Sequence, residues 1–184
     1  RVAFSMRPNN IPLLEQLSTV CSQLGDYLGA WETDLLLIRL QPDQHGENRS
    51  WSSIADDAWF LGRWKDARHY YDRDLDARQV PSTAIWKSNV EAYGGIRTRE
   101  EVLTELENDA HPGDRNARLE SYVILLVVVP DGNEPDPERA LALAGEWVSA
   151  VGSGYIAQAA AYARLGRGED VLRVIDIAAT AWRQ

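Results

Sequence analysis

Between Ser50 and Leu75 the apolar positions fall into two helical rhythms separated by one glycine. Trp51, Ile54, Ala55 and Ala58 recur at three- and four-residue steps, Gly62 interrupts, and Trp64, Ala67 and Tyr71 take the spacing up again. The pattern predicts a helix, a stop at a left-handed glycine, and a second helix. Small Ala55, Ala58 and Ala67 would let the two helices approach closely, while Trp51, Trp64 and Tyr71 fill the space around that contact.

Looser copies of the pattern run along the chain. Upstream, Leu14, Leu17, Val20 and Cys21 line one face, the chain turns at Gly25, and Tyr27, Ala30 and Leu37 follow. Downstream, Trp86, Val90 and Tyr93 precede Gly94-Gly95, and Thr98 with Glu101 forms a capping-box signal for a helix striped by Val102, Leu103 and Leu106. Asp136 as cap, Pro137 and Glu138 open a helix carrying Ala140, Leu141, Leu143, Ala144, Trp147 and Val148. Tyr155, Ala159 and Tyr162 then lead to Gly166, with Val171, Ile175 and Ala178 beyond it. The run from Tyr122 to Val129 is ambiguous, because continuous β-branched residues favour a strand on local propensity. A lone strand among helices would leave its backbone groups unpaired, so a buried helix is expected instead.

The breaking glycines Gly25, Gly62, Gly95, Gly132 and Gly166 stand 37, 33, 37 and 34 residues apart. With that period, and with Trp51, Ile54-Ala55, Ala58, Ala67 and Tyr71 at matching offsets, the chain resembles the tetratricopeptide repeat, a 34-residue helix-turn-helix unit. Pro8 to Pro42 spans one such period, and the DPERALALA stretch looks like one found before the final repeat in many bacterial members. The resemblance implies an all-α, right-handed α-solenoid forming a single domain. Its units would fall near residues 11–44, 48–80, 81–112, 114–150 and 152–182, with residues 1–10 the tail of a preceding repeat. Two departures stand out: Glu100 or Glu101 replaces a small residue in the third unit, and Asp34 replaces a late aromatic in the first, where looser packing is expected.

In this family the first helix of each pair lines a concave surface that binds segments of other proteins. Carried onto this sequence, the groove positions are Glu15, Thr19, Ser22 and Gln23 in the first unit, Arg49, Ser52, Asp56, Trp59 and Phe60 in the second, and Lys87 and Glu91 in the third. Trp59 fits either a groove anchor or the core. The core is preferred, because neighbouring Phe60 must face another way. The best-known groove of the family clamps a terminal carboxylate with Lys and Asn, yet Ser52 and Asp56 stand where those groups belong, so acidic C-terminal tails are not the expected ligand. The expected role is a scaffold or adaptor for a neutral or basic peptide or protein. The alternative is a regulatory or self-association module of a larger signalling, transcriptional or secretion protein. Homo-oligomer contacts would then use the terminal helices, where Val171, Leu172, Val174, Ile175 and Ala178 form an apolar stripe.

Composition narrows the partners further. The 184 residues are 45% hydrophobic, enough for a continuous core. Lys and Arg number 19 against 28 Asp and Glu, and the net charge of −9 disfavours nucleic acid and anionic membranes. A single cysteine, Cys21, excludes an internal disulfide and reads as core filler. No apolar run is long enough to span a bilayer and no secretory signal opens the chain, so a cytoplasmic location is expected.

Enzymatic signatures are missing: there is no GxxxxGK[ST] phosphate loop, no HExxH and no paired CxxC. His45, His69 and His111 lack second ligands at metal-binding spacing. Asp72, Asp74 and Asp76 open like a calcium loop, but Ala77 and Thr83 stand where glycine and glutamate are required, so a polar helix face is expected there. Asp56-Asp57 does not continue into DDxxD. No catalysis, cofactor or metal site is expected.

Overall fold

The computed structural model describes residues 10–41, 51–108, 115–128, 134–151 and 154–181. These form α1 (Ile11–Gln23), α2 (Tyr27–Leu40), α3 (Trp51–Phe60), α4 (Trp64–Arg78), α5 (Pro81–Tyr93), α6 (Arg99–Glu107), α7 (Arg115–Val127), α8 (Pro137–Val151), α9 (Tyr155–Arg164) and α10 (Gly168–Ala181). Among the described residues there is no strand, and no helix is long and apolar enough to cross a membrane. The protein is all-α. The expected repeat tail at residues 1–10, all but Asn10, and the turn at Gly132 lie outside the described residues.

Local chemistry sets the helix ends. Gly62 has φ +69°, and the turn around it closes with Gly62 N–H donating to the Trp59 carbonyl and Arg63 N–H to the Ala58 carbonyl, both at 2.8 Å. That pair of bonds satisfies carbonyls the helix leaves open, and a glycine is favoured because a side chain is strained in this conformation. Gly25, Gly95 and Gly166 adopt the same positive φ with the same pair of bonds, so one stop recurs at four of the expected turns. At helix starts, Asn10, Asp26 and Asp136 accept from Leu13, Gly29 and Arg139 N–H, and Thr98 and Glu101 form the reciprocal capping box.

The chain folds as two compact units, Arg1–Val90 and Glu91–Gln184, divided within α5. In the first, α1 packs on α2, α2 on α3 and α3 on α4. Its core joins Trp31, Trp51, Ile54, Ala55, Ala58, Ala67, Tyr71 and Val90, with Trp59, Trp64, Tyr70 and Trp86 packed around it. The apolar positions read from Ser50 to Leu75 are thus the ones enclosed. Burying side chains such as Ile54 and Tyr71 contributes about 2 to 3 kcal/mol each. Asp34 does not loosen this region. It is 0% exposed, and Trp31 one turn earlier fills the contact, meeting Tyr70 edge-on at 5.6 Å with the Arg63 guanidinium 4.8 Å above its ring.

In the second unit α7 packs on α6, α8 and α9, and α9 on both α8 and α10. Tyr122 to Val127 lies in α7, where Val123, Leu125, Leu126 and Val127 are almost fully buried, so burial of a helix accounts for the β-branched run. Ala140, Ala144, Ala161, Val174 and Ala178 carry the core into α8, α9 and α10. Ile175, read as a core position, is 51% exposed. The buried stripe of α10 runs through Val174 instead.

Candidate functional site

In the Asp72, Asp74, Asp76 series, expected on a polar helix face, Asp76 is exposed and Asp72 half-exposed, but Asp74 is a buried junction. In mid-helix, two-residue steps point side chains in different directions. Asp74 therefore turns inward, 0% exposed, and accepts from Ser52 N–H at 3.2 Å, Arg78 Nη2 at 2.7 Å and Thr83 Oγ1 at 2.9 Å. One carboxylate thereby ties the start of α3 and the start of α5 to α4. Asp72 pairs outward with Lys87 Nζ at 2.6 Å.

A concavity of about 400 Å³ opens between α1 and α3. Ser18, Thr19, Ser22 and Gln23 form its α1 wall, Ser53, Asp56, Asp57 and Phe60 its α3 wall, and Tyr27 at the start of α2 reaches its edge. Residues one turn apart on each helix share a face, which is why both walls run at three- and four-residue steps. Ser22 Oγ donates to Asp57 Oδ1 at 3.0 Å, joining the walls, and Asp57 is 3% exposed. Asp56 accepts a hydrogen bond from the hydroxyl of fully buried Tyr71. Burial pushes the Asp56 carboxyl up to about 6, the Tyr71 bond working against burial and the nearby Asp74 charge with it. The same burial, with Asp56 beside it, holds the Tyr71 phenol well above its usual value.

The rim is aromatic. Phe60 is 61% exposed and stacks on Tyr27, with centroids 4.3 Å apart and planes 16° from parallel. Trp59, partly buried, packs against the core and Trp86, 5.6 Å between centroids, and also stacks on Phe60 at 6.1 Å.

Of the eleven groove residues carried over from the repeat pattern, Thr19, Ser22, Gln23, Asp56 and Phe60 line this one concavity. Glu15 stands exposed one turn before Thr19, whose hydroxyl donates to its carbonyl. Ser52 is drawn by its amide to Asp74, Trp59 packs on the core, and Lys87 is paired with Asp72. Glu91 is 7% exposed with Arg97 at 3.8 Å. Arg49 lies outside the described residues. The structure adds Ser18, Tyr27, Ser53 and Asp57. Asp57 had a signal in its position beside Asp56, whereas Tyr27 reads in sequence as an apolar helix position.

A second hollow, of about 350 Å³, lies in the other unit against Leu106, Leu119, Tyr122, Ala142 and Leu143. Arg139 lies over the Tyr122 ring, 5.0 Å from its centroid, and pairs with Glu107 at the edge. No group of three or more His, Cys, Asp or Glu among the described residues could hold a metal ion. Cys21 is partly exposed, and burial followed by the charge of Asp26 raises its thiol pKa, which disfavours the thiolate. His69 stands edge-on to Tyr70 at 5.1 Å.

Compared with protein-family models and with curated proteins, the sequence matches none.

Proposed function

We propose that this chain is a helical-repeat interaction module, built from tetratricopeptide-like pairs stacked as a right-handed solenoid, that acts as a scaffold rather than an enzyme. The observation that carries this reading is the concavity between α1 and α3, lined by the first helices of two successive pairs and edged by exposed Phe60. Stacked helical pairs present such inner surfaces to segments of partner proteins. Recurrence of one glycine stop at Gly25, Gly62, Gly95 and Gly166 supports the repeat assignment. The partner is a neutral or basic protein segment, in keeping with the net charge of −9. The test is a random peptide-display selection followed by titration of the selected peptide into the ¹⁵N-labelled chain. Shifted amides on α1 and α3 are expected. Failure to select any binder, or shifts confined to other helices, would contradict the reading.

A self-association or regulatory role is the second reading, favoured by one observation. Leu172 and Ile177 on α10 are 66% and 47% exposed, beside exposed Ile175. Light scattering that stays monomeric with rising concentration removes it. A dimer lost in Leu172→Glu supports it.

A further inference from the structure

The turns at Gly25, Gly62, Gly95 and Gly166 share a positive φ and the same two closing bonds, so the helices on either side of them can be compared position by position. In that register Val20 of α1 matches Asp57 of α3, Val90 of α5 and Ala161 of α9. Those three are almost fully enclosed, whereas Val20 is 47% exposed and Leu24 beyond it 80%. Asp57 is met from the preceding pair, by Ser22. On α10, Ile175 matches Asp34 of α2 and Tyr71 of α4, both 0% exposed, yet it is itself 51% exposed beside exposed Leu172. Both α2 and α4 are met by the pair that follows, α2 by packing on α3 and α4 through the Asp74–Thr83 bond to α5. Thus α1 and α10 hold in solvent the two complementary halves of a packing that the helices between them use on one another.

We infer that a second copy of this chain covers these faces head to tail, the α10 face of one copy seating on the α1 face of the next as α2 seats on α3. The inference rests on the stacked-pair reading above and names the surfaces and the partner for self-association. Continuity with the packing already present between successive pairs carries it, together with the chemistry of the matched positions. Inside the chain, Ser22 bonds Asp57 and Asp74 bonds Thr83 across successive pairs. The same register applied between copies sets Ala163 against Val20 and Ala178 against Leu13. Each polar bond is replaced by two apolar side chains, so neither face leaves the other with an unmet donor or acceptor at these points, and removal of apolar surface from water drives the contact. A foreign helix would match one face alone, whereas a copy of this chain supplies both. Because the two halves differ, the contact is heterologous, and a copy that has used its α10 face still carries an α1 face.

The experiment is sedimentation equilibrium of the chain and of its Val20→Asp and Ile175→Asp variants, each alone and the two mixed in equal amounts. Both substitutions fall at exposed positions, so the circular dichroism spectrum is expected to stay unchanged, and Leu24→Asp with Leu172→Asp repeats the comparison should either variant fail to fold. The parent is expected to gain mass with concentration, and each variant alone to associate about tenfold more weakly. The mixture is expected to recover a complex of one copy of each, because each variant keeps the half that the other lacks. A parent that stays monomeric overturns the inference, and so does a mixture that associates no better than the separate variants. A parent dimer abolished by Ile175→Asp and untouched by Val20→Asp also overturns it, since α10 would then pair with itself. Titration of a display-selected peptide into the same variants reads the groove separately: shifts on α1 and α3 without any association of the parent overturn the stacking and leave the groove reading standing.

Discussion

Thr83, in the first turn of α5, donates its hydroxyl to Asp74 Oδ2 at 2.9 Å, nine residues back on α4, and the same carboxylate receives the amide of Ser52 at the start of α3. Three helices meet at one buried acid. Asp74→Ala would leave the Ser52 amide and the Thr83 hydroxyl without their acceptor, and unmet buried donors cost about 1 to 3 kcal/mol each. Loss of about 3 kcal/mol is expected in urea unfolding. Arg78, partly in solvent, adds little to that figure. A loss under about 1 kcal/mol would contradict the junction.

The Asp56 carboxyl titrates near 6 in the folded chain, above its ordinary value of 3.8. The folded state therefore binds this proton more tightly than the unfolded state. The stabilisation it provides is fully present below about pH 4 and is lost as pH rises through 6, by roughly 3 kcal/mol in all. Asp56→Asn removes the titration, so the variant is expected to be more stable than the parent at pH 8 and to lose that advantage near pH 4. Chemical unfolding at the two pH values checks this. A variant less stable at pH 8 would show that the ionised form is not the strained one.

Neighbouring Trp59 and Phe60 should respond oppositely to truncation. Trp59 packs on the core and Trp86, so Trp59→Ala is expected to lower stability by about 3 kcal/mol. Phe60 is largely in solvent, so Phe60→Ala should cost under about 1 kcal/mol while weakening ligand binding. Paired thermal melts separate them, and similar losses in both would argue against the division of roles.

At Gly62, among the described residues, only Trp64 lies near a hypothetical Cβ, with Cζ2 at 3.8 Å, so space is not the constraint. The constraint is the φ of +69°. Gly62→Ala is expected to destabilise by about 1 to 2 kcal/mol through backbone strain, and Gly62→Asn by less. Differential scanning calorimetry of the pair gives the ordering, and an alanine variant as stable as the parent would contradict it.

What could be read from sequence was local. The Thr98/Glu101 box, the Asp136-Pro137 start and the stops at Gly25, Gly62, Gly95 and Gly166 act within a few residues, and each of these is found where the pattern puts it. Core spacing in α3 and α4 was legible for the same reason, because Ile54, Ala55, Ala58, Ala67 and Tyr71 repeat with the helix period. Asp74 was not legible: an acidic series reads as solvated until the third dimension brings Ser52 and Thr83 onto it. In α10 adjacent Val174 and Ile175 are both apolar, so periodicity left the phase of the buried stripe undecided. At the concavity, Ser18 and Ser53 carry no periodic signal of their own. They became visible only once α1 faced α3 across the Ser22–Asp57 bond.

The central claim, that partners seat between α1 and α3, is tested most directly by site-specific photocross-linking to a display-selected peptide. A benzoylphenylalanine placed at Gln23, exposed in the concavity, is compared with one placed at Ile175, exposed on α10. The account predicts a cross-link from position 23 and none from position 175. A cross-link from position 175 alone would contradict it.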